Sequence, residues 1–391
     1  MTGAETSERR TVLFGGGGTA GHIFPALAVA RALLTLDPGV EAVFVGSRDR
    51  LEGRLVPQAG FALHHIDVLP VPRRLSASLL RLPSAVRGAT ARCVELLRSS
   101  AALGAATFGG YVSFPLARAA HLEGLPLVVH EQNSVPGLAN RVAARWADRV
   151  AVSFPGSADR LPRPERVAVT GNPVREEVLA LDPVAARPDA LRHFRLHQSR
   201  RTVLIFGGSQ GARTLNAAAV GSFALWREPR RVQILHAAGR HLYTEAQNGW
   251  QGARDRGEGP LVRCVDFIDD MAAAYAAADV VVCRAGATTI AELTALGRAS
   301  VLVPYPHAAG DHQHHNAEAL RQAGAARVIA DYDLDGAALV AAVEPLLLDD
   351  AEREAVAAAA RAFGRPDAAG NVARLLLQEL GRAPAQGSRW R

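Results

Sequence analysis

Thr11-Val12-Leu13-Phe14 runs directly into Gly15-Gly16-Gly17-Gly18, and the phrase returns as Thr202-Val203-Leu204-Ile205-Phe206 followed by Gly207-Gly208-Ser209-Gln210-Gly211. Each is a short apolar strand pattern that delivers a glycine loop to the start of a helix. Such a loop gathers unpaired backbone N–H groups and the positive end of a helix dipole around one spot, which suits a phosphate. Two of them in one chain predict two α/β halves, each with an anion-binding loop, and a cleft between.

Length and composition agree with that division. At 391 residues the chain exceeds the size at which one core keeps growing, so two domains are expected. With 49% hydrophobic residues it has a globular composition, neither disordered nor membrane-embedded. The first ten residues, MTGAETSERR, are polar and lead into a strand without the apolar core of a secretory signal, which predicts a cytoplasmic protein. Residues 99–117 carry no charge, but Gly104, Gly109, Gly110 and Pro115 argue against a membrane-spanning helix, and the stretch reads as a helix end plus a loop. Cys93, Cys264 and Cys283 form no metal or redox motif and read as reduced, mostly buried small hydrophobes.

All 44 basic residues are arginine. A lysine Schiff base, a pyridoxal phosphate anchor and a lysine-containing P-loop are therefore excluded. Anionic groups fall to arginine, backbone N–H groups and helix ends. The net charge of +6 favours anionic partners or reflects genome composition. Nucleic acid is the weaker candidate, since no aromatic-rich basic motif is present.

Along the chain, apolar β-type runs alternate with helix-period segments. Strands are expected at 11–14, 41–46, 125–130, 149–153 and 166–170, with helices at 25–36 and 136–146. The stretch 175–201, with Pro183 and Pro188 and many charges, reads as the passage between halves. A second alternation follows, with strands at 202–206, 232–236, 262–267, 280–283 and 300–303 and helices starting near Gly211, Thr289 and His314. Such alternation implies parallel strands joined by crossover helices. After about residue 366 come a final amphipathic helix and the tail GRAPAQGSRWR. No short repeat points to a solenoid or propeller.

Several groups along these loops could do chemistry. The first loop lacks an acidic residue placed for a nucleotide ribose, so a nicotinamide site is disfavoured; the loop is either a structural turn or an anion site. His22 stands at its mouth, where an imidazole can accept a proton near neutral pH, although the nearby dipole disfavours its charged form. The second loop adds the Ser209 hydroxyl and fresh helix N–H donors, for which diphosphate is a natural ligand. In Cys283-Arg284-Ala285-Gly286-Ala287-Thr288-Thr289-Ile290-Ala291-Glu292 a strand turns into a helix. There Glu292 either accepts from a ribose diol or closes a capping box with Thr289. Asp311-His312-Gln313-His314-His315-Asn316 has too scattered a facing for a metal, and polar contacts to a hydroxylated substrate or helix capping fit it better. His130-Glu131-Gln132-Asn133 ends a buried strand, where α/β proteins place ligand-contacting side chains.

Eight segments occur in register: GGGGTAGHIFPALAVA from Gly15, TFGGYVSFP from Thr107, HEQNSVPGLANR from His130, TGNPVR from Thr170, GGSQGARTLN from Gly207, FIDDM from Phe267, CRAGATTIAEL from Cys283 and DHQHHNA from Asp311. Together they cover nearly the whole chain, which resembles the bacterial peptidoglycan N-acetylglucosaminyltransferases that convert lipid I to lipid II. The resemblance implies a GT-B fold, α/β, with two Rossmann-like doubly wound domains facing across a cleft. The divisions expected are 1–172 for acceptor and membrane, 173–365 for UDP-N-acetylglucosamine, and 366–391 for a helix crossing back to the first domain and a tail. It further implies that the backbone of Ile268 holds the uracil edge. Ala287, Thr288, Thr289, Ile290, Ala291 and Glu292 wrap the nucleotide, with Glu292 on the ribose. Ser209 and Arg175 approach the diphosphate, Gln313 the sugar hydroxyls, and Asn133 reaches the sugar from the N-terminal side. Thr19, Ala20 and Gly21 face the acceptor diphosphate and the reacting centre. Ala20, Ala285 and Phe114 depart from common family residues, and Phe114 bears on the acceptor-side loop.

The implied reaction is displacement of UDP by the C4 hydroxyl of undecaprenyl-pyrophosphoryl-N-acetylmuramoyl-pentapeptide, with inversion to a β1→4 bond. His22 is the first choice for the base and Glu131 the second. No metal or other cofactor is expected. Between Arg73 and Arg98 lie six arginines and one acid, Glu95, interleaved with Leu75, Leu79, Leu80 and Leu82. This stretch is either an anionic-membrane contact, at about 1 kcal/mol per basic residue, or a solvated loop and helix face. The resemblance places the chain peripherally on the cytoplasmic face of the cell membrane, with cell-wall synthesis or division proteins as further partners. Two other functions stay open: a glycosyltransferase of another lipid or natural-product acceptor, and a noncatalytic nucleotide-sugar-binding protein.

Overall fold

Each glycine loop is fed by an interior strand of its own parallel sheet. The computed structural model describes residues 10–67, 82–208 and 211–382. It divides into one unit of residues 1–175 with 366–391 and a second of 176–365.

The first unit holds β1 (Arg10–Gly15), β2 (Val40–Gly46), β3 (Ala62–His65), β4 (Gly104–Thr107), β5 (Leu127–Glu131), β6 (Arg149–Val152) and β7 (Val167–Val169). Its order is β3-β2-β1-β4-β5-β6-β7, all parallel. Val12, Leu13 and Phe14 are fully buried, as a strand covered on both faces requires. Phe14 stacks between Phe44 and Phe108, with ring centroids 5.3 and 6.0 Å away. The helix Ala368–Arg382 lies against the helix Ala20–Leu36 and buries Val372, Ala373 and Leu376 in the same core. Burying Val372 and Leu376 contributes about 1.5–3 kcal/mol each. Arg149 Nε bonds Glu379 Oε1 at 3.1 Å beside them.

Residues 99–117 correct an expectation. They hold the central strand β4, flanked by the helices Leu82–Ser99 and Ser113–Leu122. Gly104-Ala105-Ala106-Thr107 lacks the bulky β-branched run that marks a strand. The reason is packing: a Cβ at Gly104 would stand 2.7 Å from Leu380 Cδ2 and 2.8 Å from the Pro126 carbonyl oxygen.

The second unit holds β8 (Arg201–Phe206), β9 (Val232–Ala237), β10 (Leu261–Val265), β11 (Val280–Cys283), β12 (Ser300–Leu302) and β13 (Arg327–Val328). Its order is β10-β9-β8-β11-β12-β13, again all parallel. The stretch read as a passage between halves belongs here as the helix Pro183–His193. Asp182 caps that helix by accepting from the N–H groups of Val184 and Ala185, and Pro183 takes its first position. Arg187 fixes it to the Ala277 carbonyl at 3.0 Å and to Asp279 at 2.8 Å.

In both sheets the strand order reverses beside the glycine loop, between β1 and β4 and between β8 and β11. Crossover helices leave in opposite directions there and open a crevice at the carboxyl ends of the strands, where open α/β sheets bind ligands.

Candidate functional site

In the first unit the crevice is closed by two glycine turns around one imidazole. Thr19, with extended φ/ψ of −139° and 154°, starts the helix Ala20–Leu36 without a side-chain cap, so the N–H groups of its first turn, including Ala20 and Gly21, face outward from the helix start. His22 is the third residue of that helix. Its Nδ1 lies 3.0 Å from the Gly17 carbonyl oxygen and 3.2 Å from Thr19 Oγ1. A carbonyl only accepts, so this bond puts a proton on Nδ1, and in the neutral ring the lone pair is then on Nε2. Gly109 and Gly110, at φ of 94° and 82°, bring the turn after β4 against the ring. A Cβ at Gly109 would stand 3.0 Å from His22 Cδ2 and 3.1 Å from Nε2.

Glu131 ends β5 and is buried. Its Oε1 accepts from the Asn133 N–H at 2.9 Å and from Asn133 Nδ2 at 3.4 Å. Its Oε2 accepts from the Gly137 N–H at 3.0 Å and from Asn140 Nδ2 at 2.9 Å. The second choice for the base therefore accepts from four donors of the following loop and the helix Leu138–Ala143, and it holds Asn133 in place. His130 beside it bonds the Gly171 carbonyl oxygen at 3.1 Å, and burial lowers its pKa to about 4.

In the second unit Ser209 and Gln210 lie outside the described residues. The glycines around them are set by close approach: a Cβ at Gly207 would stand 2.5 Å from the Ala212 N and Cβ, and Gly208 and Gly211 have φ of 89° and 78°. Across the switch point, Gly286 starts the helix Ala287–Leu296 with no side-chain cap. Thr289 is inside the helix, so the capping-box alternative for Glu292 falls away. Glu292 is buried, and its Oε2 accepts the Tyr275 hydroxyl at 2.8 Å. Thr288, Ile290 and Ala291 complete that first stretch of helix.

Arg284, one residue past β11, ties three loops together. It pairs with Asp331, donates to Thr214 Oγ1 at 3.0 Å and to the carbonyls of Val303 and Pro304 at 3.3 Å, and stacks 5.5 Å from the Tyr305 ring centroid. Gln313 Oε1 accepts from the Tyr305 N–H at 2.9 Å. Ile268 is buried in the wall of a cavity of about 580 Å³ that also takes in Phe267, Asp269 and Trp250.

Other expected residues are dispersed. Arg175 falls in the first unit, its guanidinium 5.1 Å over the Phe24 ring. In the histidine run, His312 Nδ1 bonds the Ala309 carbonyl oxygen at 2.8 Å. Among the described residues no group of three or more His, Cys, Asp or Glu could hold a metal ion. Arg73, Arg74, Arg81, Leu75, Leu79 and Leu80 lie outside the described residues. On the helix Leu82–Ser99, Arg92 pairs with Glu95 and Arg98 makes two bonds of 2.9 Å to Glu123. No helix among the described residues is long and apolar enough to cross a membrane. Sequence reading missed Tyr275, which sits in an alanine run, and Glu52, which sits in the charged run Arg48-Asp49-Arg50-Leu51-Glu52.

Residues 12–152 match the glycosyltransferase family 28 N-terminal domain, and residues 202–372 match its C-terminal domain. A Nocardioides sp. protein is 43% identical over 95% of this chain and 98% of its own, and one from Halothermothrix orenii is 38% identical over 93% and 98%. Both carry the name UDP-N-acetylglucosamine--N-acetylmuramyl-(pentapeptide) pyrophosphoryl-undecaprenol N-acetylglucosamine transferase. The crystal structure of Acinetobacter baumannii MurG is similar with a TM-score of 0.75 and 30% identity, covering 94% of this chain and 99% of that one.

Proposed function

The chain belongs to glycosyltransferase family 28, and from that premise we propose how its residues carry out the transfer. It is a UDP-N-acetylglucosamine-dependent enzyme that moves N-acetylglucosamine to the C4 hydroxyl of lipid I and so forms lipid II for peptidoglycan. The donor is assigned to the second unit, and the acceptor and the base to the first. In-line displacement with inversion needs a base for the hydroxyl, donors for the leaving diphosphate, and alignment of both substrates.

His22 is assigned as the base. The observation that carries this is the Nδ1 bond to the Gly17 carbonyl, which in the neutral ring leaves Nε2 with the lone pair that a hydroxyl proton needs. Glu131 is assigned a positioning part, since its carboxylate holds Asn133, which is assigned to the sugar. Ile268 is assigned to the uracil and Glu292 to the ribose diol, its second oxygen steadied by Tyr275. Thr289 and its helix neighbours are assigned to the nucleotide, Gln313 to the sugar hydroxyls, and Ser209 and Arg175 to the diphosphate. Thr19, Ala20 and Gly21 are assigned to the acceptor. Backbone donors at helix starts together with an arginine can stabilise a leaving diphosphate.

The acceptor's lipid tail calls for a membrane, and we assign peripheral binding at the cytoplasmic face to the stretch between Arg73 and Arg98. Supporting this are the stretch's six arginines against one acid. Partners among cell-wall synthesis or division proteins follow from the same reading.

The test is an assay of UDP release with UDP-N-acetylglucosamine and a soluble lipid I analogue, followed by mass analysis of the product. Acceptor-dependent release with a disaccharide product is expected. Transfer only to an unrelated acceptor would favour the other-acceptor reading, and binding without turnover would favour a nucleotide-sugar sensor.

A further inference from the structure

We propose that Glu52 is a positioning residue for the acceptor side: its buried carboxylate occupies the Gly18 N–H and ties the first glycine loop to Tyr111. The proposal rests on the reading that the first unit takes the acceptor. Glu52 belongs to the first turn of the helix Leu51–Gln58, in a charged run that reads as surface, yet it is fully buried. Its Oε2 accepts from the Gly18 N–H at 3.1 Å. Its Oε1 accepts from the Ser47 N–H at 3.2 Å and from the Tyr111 hydroxyl.

Three segments therefore meet at one carboxylate: the end of β2, the glycine loop after β1 and the turn after β4. A buried carboxylate is retained only where donors replace its water, and these three donors do so. Two glycines are fitted to it. A Cβ at Gly17 would stand 2.9 Å from Glu52 Oε1, and one at Gly46 would stand 2.7 Å from Glu52 Cγ. The Tyr111 ring closes over Gly18, where a Cβ would meet Tyr111 Cε1 at 3.0 Å. Burial, and then the bond to and charge of Glu52, raise the Tyr111 pKa, so the phenol stays a donor.

The consequence reverses the simple reading of this loop. The Gly18 N–H is spent on a protein carboxylate, and that negative charge disfavours a second anion beside it. An acceptor diphosphate is left to the N–H groups at the start of the helix Ala20–Leu36. The same block includes Gly17, whose carbonyl holds His22. Loosening Glu52 thus disturbs the acceptor loop and the orientation of His22 while sparing the donor unit.

The test uses the full chain with Glu52→Gln, which keeps the shape but turns one accepting oxygen into a donor. Deuterium uptake over residues 14–24 should rise while uptake over residues 202–348 stays at the wild-type rate. The value of kcat/KM for a soluble lipid I analogue should fall about tenfold or more, the cost of one hydrogen bond to a charged group. The KM for UDP-N-acetylglucosamine should stay within about twofold, the sign of an undisturbed donor side. Tyr111→Phe removes one donor and should give a smaller loss of the same kind, and both changes together should be no worse than Glu52→Gln alone. If Glu52→Gln does not fold, Tyr111→Phe carries the same readouts. Unchanged uptake and acceptor kinetics, or losses shared equally by donor and acceptor, overturn the proposal. A wild-type chain without transfer, but with the uptake difference intact, would defeat the assigned reaction and leave the hold of Glu52 on the loop standing.

Discussion

The carbonyl oxygen of Gly17 that holds His22 Nδ1 at 3.0 Å is the atom a side chain at Gly110 would strike. Gly110 also has a φ of 82°, which an L side chain adopts only under strain. Gly110→Ala should therefore push the carbonyl and turn the imidazole. We expect unfolding of the first unit to become easier by about 1–3 kcal/mol. Turnover should fall with donor affinity unchanged, as read by thermal unfolding, UDP-release kinetics and titration calorimetry with UDP. Wild-type turnover in Gly110→Ala would show that the ring is not held by this contact.

Glu292 and Tyr275 give a second prediction. A carboxylate accepting from a ribose diol contributes about 1.5–3 kcal/mol through hydrogen bonds to a charged group. Glu292→Ala should weaken UDP binding about 10–100-fold. Tyr275→Phe leaves the carboxylate but frees its orientation and should weaken binding by about 1 kcal/mol. Calorimetry with UDP separates the two, and a Glu292→Ala protein that binds UDP like wild type would remove Glu292 from the ribose.

The first glycine loop and its counterpart were legible because an apolar run followed by glycines is a strand-to-helix turn with few alternatives. Strand β4 was not legible. Its close covering by Pro126 and Leu380 selects glycine and alanine, and those residues carry no strand signal. Glu52 was hidden for the opposite reason, since a carboxylate among Arg48, Asp49, Arg50 and Arg54 reads as solvated until Gly18, Ser47 and Tyr111 are seen to converge on it. The capping box at Thr289 depended on where a helix starts, and local spacing does not fix that to one residue.

Two buried histidines set a pH dependence. Burial lowers His130 to about 4, partly opposed by its bond to the Gly171 carbonyl, and burial lowers His236 to about 4 as well. Both folded pKa values lie below the unfolded value, so the unfolded chain binds more protons as pH falls. The stability they contribute is complete above pH 6.5 and is lost progressively as pH falls towards 4. At pH 5 the loss is about 2 kcal/mol for each imidazole, one in each unit. Nuclear magnetic resonance of the imidazole Cε1 protons should show both rings neutral down to about pH 5. Titration of either near its ordinary value would contradict the burial argument.

Membrane binding should be electrostatic. The full chain is expected to bind vesicles containing anionic lipid and to be released as salt approaches about 1 M, where the screening length is about 3 Å. Equal binding to neutral vesicles, or binding indifferent to salt, would count against the arginine-rich stretch as the contact. Arg98 is expected to matter least among those arginines, since Glu123 already engages it twice at 2.9 Å.

The most direct measurement is turnover of His22→Ala against its affinity for UDP. If His22 takes the proton from the acceptor hydroxyl, kcat with a soluble lipid I analogue should fall about 10²–10⁴-fold, the usual contribution of a general base. The dissociation constant for UDP should stay within about twofold, since the residues proposed for the uracil and ribose of the donor belong to the other unit. Near-normal turnover in His22→Ala would contradict the account at its centre.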